Sequence, residues 1–155
     1  MKTNWIQKIG VVIGLLGFIT PVLAVNLNNH GVAFRAYIGT QTLDIDYQAS
    51  GARNLASSPR LVIAPLVRSP TSDGSLAVYV DGVHRSYQTT TCTVYSHNYN
   101  GALLGSQSFT VALKGSFDRY VSLPGGQAPT WAYVSILCQI AGNGQVVMGG
   151  VAVVQ

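Results

Sequence analysis

Tyr95 and Tyr99 lie on or beside one turn. Trp131 and Tyr133 stand two apart in a β-branched and aromatic run, Trp131-Ala132-Tyr133-Val134-Ser135-Ile136-Leu137-Cys138. Successive side chains alternate across a strand, so Trp131, Tyr133, Ser135 and Leu137 share one face and Ala132, Val134, Ile136 and Cys138 the other. By the same parity, an inward Cys92, Val94 and Ser96 send Thr93 and Tyr95 outward. An exposed Trp/Tyr face with Asn and Asp nearby is suited to stacking on sugar rings. Tyr95, Tyr99, Trp131 and Tyr133 are therefore the candidate binding residues for a glycan or protein ligand. The same face would equally serve to pack on a neighbouring strand, chain or loop.

Other chemistries are less well supplied. Asp44-Ile45-Asp46 places two carboxylates on one strand face, about 7 Å apart by strand rise. Ca²⁺ would need further oxygens, and no Asp-rich loop accompanies the pair, so the solvated face of a half-buried strand is the better reading. His30, His84 and His97 lack the tight spacing of zinc ligands. They read as surface or turn histidines, with His30 in a flexible N-terminal arm. Ser86, His84 and Asp118 can be drawn as nucleophile, base and orienter, but no G-x-S-x-G elbow is present. The chain contains no glutamate, which leaves aspartates alone to supply the paired carboxylates of a glycosidase. Phosphate-loop and dinucleotide motifs are missing. No metal, cofactor or catalytic residue is expected, and a small secreted hydrolase is the weakest of the functional readings.

Positioning the aromatic face falls to the two cysteines, Cys92 in Thr90-Thr91-Cys92-Thr93-Val94-Tyr95 and Cys138 in the later run. Their setting predicts two strands pinned by one disulfide. The bridge closes a loop of about 47 residues, for which the chain-entropy estimate is about 4 kcal/mol at most. A disulfide requires an oxidising compartment, and the N-terminus supplies the route. Lys2 and Lys8 precede and border the apolar run Ile9 to Ile19, followed by Pro21 and Val22-Leu23-Ala24. That is an export signal, too short for a membrane span, with cleavage expected after Ala24. Residues 25–155 then form one secreted or periplasmic domain without stable membrane insertion. Its cations, Arg35, Arg53, Arg60, Arg68, Arg85, Lys114 and Arg119, are scattered singly. There is no basic stripe for nucleic acid.

The remainder reads as about eight to ten short strands separated by Gly, Asn, Asp and Pro, an all-β antiparallel sandwich of Ig-like or jelly-roll type. Strands are expected at Gly31 to Ile38, at Gln41 to Tyr47 with Leu43, Ile45 and Tyr47 on one face, and at Arg60 to Val67, where Pro65 demands an edge or bulge. Ala49 to Pro59 and Arg68 to Gly74 read as loops. Asp81-Gly82 is a hairpin signal between Ser75 to Val80 and Val83 to Gln88. Lys114-Gly115-Ser116 separates Gln107 to Leu113 from Phe117 to Leu123, and Gln145 to Val154 closes the set. An outer-membrane barrel would need longer strands. An assembly subunit pairing through an edge strand, either the apolar first strand or Val146 to Val154, is the principal alternative to a binding module.

Tyr79-Val80-Asp81-Gly82, Cys92-Thr93-Val94-Tyr95, Ile136-Leu137-Cys138-Gln139-Ile140 and Val151 to Val154 resemble small exported one-disulfide proteins of Gram-negative bacteria that have no assigned activity. The resemblance covers most of the second half. It implies a disulfide-pinned β-sandwich and transfers no functional residues.

Overall fold

A computed structural model describes residues 26–67 and 75–154. The expected export signal, residues 1–24, and the turn at 68–74 lie outside the described residues. Nine antiparallel strands occur among those described: β1 (Asn26–His30), β2 (Arg35–Ala36), β3 (Ile45–Gln48), β4 (Gly51–Asn54), β5 (Arg60–Leu66), β6 (Leu76–His97), β7 (Leu103–Leu123), β8 (Tyr133–Ile140) and β9 (Val146–Val154). The order is β2-β5-β8-β6-β9-β4-β3, with β1 beside β9 and β7 beside β6. The protein is an all-β antiparallel sandwich.

β6 and β7 are its spine. Along one edge, β6 pairs with β7 from Leu76 to His97. Along the other, it pairs with β9 at Ala77 to His84 and with β8 at Thr91 to His97. The long hairpin therefore belongs to two sheet halves, one continuing through β9, β4 and β3, the other through β8, β5 and β2. Even-numbered β6 residues face inward in both halves: Val78, Val80, Gly82 and His84, then Thr90, Cys92, Val94 and Ser96. Of these, Val78, Val80, Cys92 and Val94 join Val62, Ile136, Ile140, Met148, Val151 and Val153 in one apolar core. The outward rows are rich in hydroxyl and amide groups. This is the reverse of a lipid-facing barrel, although the expectation of uniformly short strands fails at β6 and β7.

The Asp81-Gly82 hairpin is therefore a correction: the strand runs through it, with a bulge against β9 between the two residues. Period-2 burial continues unbroken from Val78 to His84, so inward packing outweighs the local turn preference. Gly82 serves close approach instead. A Cβ there would lie 2.6 Å from the Phe117 ring and from the Val147 carbonyl oxygen. Lys114-Gly115-Ser116 is likewise no break. The β6–β7 register shifts between His84 and Gln88, and β7 continues.

The first third departs most from expectation. Gly31–Ala33 and Gly39–Asp44 are 3-10 turns, and only Arg35–Ala36 of Gly31 to Ile38 is strand. Leu43 is 96% exposed, not aligned with buried Ile45. The Thr42 hydroxyl donates to the Gly39 carbonyl at 2.7 Å and closes the turn locally. The expected loop at Ala49 to Pro59 contains β4, whose small Ala52 fits a fully buried position between β3 and β9. β5 agrees with expectation, and β2 pairs with it only at Val62 and Ile63, leaving Pro65 beyond that ladder. β9 is flanked on both sides and is no edge. Among the described residues, β7 pairs only with β6 and carries the long edge instead.

Candidate functional site

Cys92 and Cys138 are direct cross-strand partners in β6 and β8, with Cα atoms 4.0 Å apart, and are bonded to each other as their setting predicts. Both are fully buried. Because the sulfurs face the core, the alternate residues face out, and the outer surface of the β2-β5-β8-β6-β7 half is built rung by rung. Leu61, Gln139, Thr91 and Thr110 form one row. Ile63, Leu137, Thr93 and Ser108 form the next, followed by Pro65, Ser135, Tyr95 and Ser106. Tyr133 then stands opposite His97.

The aromatic end and the hydroxyl end differ in character. Tyr95 and His97 stack with ring centroids 5.9 Å apart. Together with Tyr37, Ile63, Ser135 and Leu137 they line a shallow cavity of about 300 Å³. Tyr133 is 67% exposed beside it. Toward the other end, the Thr93 and Ser108 hydroxyls lie 2.7 Å apart and those of Thr91 and Thr110 3.1 Å. Each hydroxyl pair uses one donor internally and keeps acceptor and donor capacity for a ligand.

Charge is sparse on these rows. They contain no Asp or Lys, and the one guanidinium, that of Arg35 beside Ile63, is occupied. Arg35 donates to the Val32 and Phe34 carbonyls and lies over the Tyr47 ring, 4.9 Å from its centroid. Such a surface offers ring faces and neutral hydrogen-bonding groups, without a fixed ion to select an anionic or cationic partner.

Tyr99, two residues after His97, and Trp131, two residues before Tyr133, sit on the turns at this end of the ladder and are 77% and 57% exposed. The Asn98 side-chain oxygen accepts from the Asn100 and Ala102 amides and braces the first turn. Ala132 N–H donates to the Pro129 carbonyl and closes the second. The structure thus brings Tyr95 and Tyr133 onto one face through His97 and leaves Tyr99 and Trp131 at its rim. Tyr37 and the Thr/Ser rungs were missed. Tyr37 lies just past a two-residue strand whose pairing with β5 the sequence does not signal. The rungs do carry a signal, since Thr89, Thr91 and Thr93 alternate with inward residues.

The other candidate groups resolve differently. Arg60 Nε donates to Asp44 Oδ2 and Arg53 Nε to Asp46 Oδ2, both at 2.7 Å, so this carboxylate pair is ion-paired rather than merely solvated. His84 is buried, contrary to the surface reading. Its Nδ1 lies 2.9 Å from the Leu113 carbonyl oxygen, its Nε2 lies 2.9 Å from the Thr90 hydroxyl, and its ring packs on Phe117. It fills the inward position beside the β6–β7 register shift. His30 is no loose arm residue: it ends β1, and its ring is bonded to the Ala49 carbonyl and the Val32 amide. Ser86 donates to Gln145. With the His84 nitrogens engaged in the core and Asp118 on the outer surface, the Ser86–His84–Asp118 trio is not assembled. Among the described residues, no group of three or more His, Cys, Asp or Glu is placed to hold a metal ion.

No family model matches this chain, and no curated protein is significantly similar to it. Solved structures are. The CBM36-1 domain of a multidomain xylanase from the hindgut metagenome of Trinervitermes trinervoides superposes with a TM-score of 0.52 at 10% identity, over 83% of this chain and 96% of that one. A xylan-binding module, CBM15, matches at TM-score 0.48 and 12% identity over 84% and 96%. CBM35 from Paenibacillus barcinonensis matches at 0.47 and 14% over 82% and 97%. The likeness to the CBM36-1 domain is one of fold, and no residue role is carried over from it.

Proposed function

We propose that this protein is an exported, non-catalytic binding module for a neutral glycan, held on the outer face of the β2-β5-β8-β6-β7 half. The observation that carries the proposal is the group formed by the exposed Tyr37 and Tyr133 rings and the half-buried Tyr95 ring beside paired Thr and Ser hydroxyls, on rows with no free ion. Pyranose rings present a C–H face that packs on aromatics and a rim of hydroxyls that exchange hydrogen bonds with neutral donors and acceptors. The fold neighbour at TM-score 0.52 is a domain of a multidomain xylanase, which supports a polysaccharide ligand. Export through residues 1–24 fits a fully buried disulfide. Among the described residues no helix is long and apolar enough to cross a membrane.

A glycan array followed by affinity electrophoresis in the matching neutral polysaccharide tests the reading. The wild-type chain should be retarded. Tyr133→Ala should weaken binding about tenfold, the equivalent of roughly 1.4 kcal/mol of ring contact, and Trp131→Ala should weaken it at the rim. Absence of retardation on every neutral polysaccharide would sink the proposal. Absence of binding together with concentration-dependent oligomers by light scattering would favour assembly through the open edge of β7.

A further inference from the structure

The opposite sheet half carries a second concave surface. Across its outer face, His30, Gly150, Asp81 and Asp118 form one rung through β1, β9, β6 and β7. Asn28, Ala152, Tyr79 and Tyr120 form the next. Two cavities, of about 410 and 440 Å³, open on this face, and Asp81 and Gly149 line both. Gly149 makes the floor: a Cβ there would lie 2.1 Å from Asp81 Oδ1. The Asp81 carboxylate therefore lies against bare backbone, where a residue with a side chain would displace it. Tyr79 and Tyr120 meet edge to face with centroids 5.2 Å apart, and both remain exposed.

The charges here are unbalanced. Asp81 and Asp118 are cross-strand partners of like charge, an unfavourable pairing. Among the described residues neither makes a hydrogen bond or ion pair, whereas Asp44 and Asp46 are each held by an arginine. Among the described residues no cation lies within ion-pair distance of either carboxylate. His30, on the same rung, is no ion-pair partner of Asp81: its Nε2 lies 2.9 Å from the Ala49 carbonyl oxygen and its Nδ1 3.2 Å from the Val32 amide. Arg85 lines the far part of one cavity, four residues along β6, or about 13 Å by strand rise. Arg119 stands opposite Val80, one residue out of phase with Asp118.

We infer that this face is a second binding site, distinct from the Tyr95–Tyr133 face, for a sugar bearing a free amino group. The ammonium would sit between the Asp81 and Asp118 carboxylates, and the pyranose face would lie over the adjoining tyrosines. The elements answer to one another. Two carboxylates that make no ion pair among the described residues select a cation, the glycine floor admits a ring close to the sheet, and Tyr79 and Tyr120 offer both a ring face and cation–π attraction.

Isothermal titration with glucosamine oligomers and with their N-acetylated counterparts of equal length tests the assignment, because the two probes share the pyranose chain and differ in whether each unit carries an ammonium or a neutral acetamide. The free-amine oligomer should bind at least tenfold more tightly. Asp118→Asn, an isosteric change at an exposed position, should remove that preference, and Tyr120→Ala should weaken binding. The preference for the free amine should survive Tyr133→Ala, which separates this site from the neutral-glycan face. Absence of binding by the free-amine oligomer, equal affinity for both oligomers, or a preference that survives Asp118→Asn would each overturn the inference. So would oligolysine competing as well as the amino sugar, since that would show a site for cations without regard to the ring.

Discussion

Asp81 bears a carboxyl whose proton affinity its surroundings alter. Burial raises its pKa above the ordinary 3.8, the facing Asp118 raises it further, and His30 offsets part of the rise. The sign of the stability effect follows. Below about pH 3 both folded and unfolded chains carry the proton, and the site is neutral in its effect. As pH rises through 3.8 the unfolded chain ionises first while the folded chain retains its proton. Stability is then lost until the folded pKa is passed. At neutral pH the ionised Asp81 therefore works against folding. Asp81→Asn should raise the thermal midpoint at pH 7, and the gain should shrink toward zero near pH 3. A gain independent of pH would show that packing, not charge, is responsible. The same substitution should abolish the preference for a free amine, so that binding and stability move in opposite directions, as they do where a site holds strain for a ligand.

At the scale of elements, the pairing of β6 with β8 decides which aromatics reach solvent. Two cysteines in β-rich segments, read with period-2 alternation, are enough to place Tyr95 and Tyr133 outward, because a strand cannot rotate one residue without rotating its neighbours. The same alternation was present across Val78, Val80, Gly82 and His84, where a local Asp-Gly turn signal concealed it. That signal describes what two residues prefer in isolation. The structure answers to what Phe117 and Val147 require of the strand packed beside them. Tyr37 and β4 were illegible for a related reason: β2 is two residues long and β4 is made of small residues, so each exists through its partners. Replacing both cysteines, Cys92→Ala with Cys138→Ala, should lower unfolding stability by up to about 4 kcal/mol in denaturant titration. The loss should match that seen in wild type under reducing conditions. A variant as stable as the oxidised wild type would mean that the β6–β8 ladder needs no covalent tie.

At the scale of the molecule, one core sustains two outward surfaces of opposite character. One is neutral and aromatic with hydroxyl rungs, the other acidic and aromatic over a glycine floor. They share β6, which sends Tyr95 to the first and Asp81 to the second from the same outward parity because the strand passes from one sheet half to the other. Among the described residues β7 has no strand partner other than β6, so much of its second edge is a template for another strand, with Gln127 lying close at Gly105. Lys114 and Arg119, both exposed, and the irregularity at Gly115 interrupt it. Charges on an edge oppose pairing with a second copy, since stacking two such edges brings like charges together and desolvates them. The double substitution Lys114→Val and Arg119→Val should therefore promote association, seen by light scattering as mass that grows with concentration beyond that of wild type. Neutral-glycan binding by the soluble fraction should persist, because neither residue lies on the Tyr95–Tyr133 rows. If the variant instead keeps the wild-type mass across the same range, the edge is blunted by the twist and bulge of the hairpin rather than by its charges.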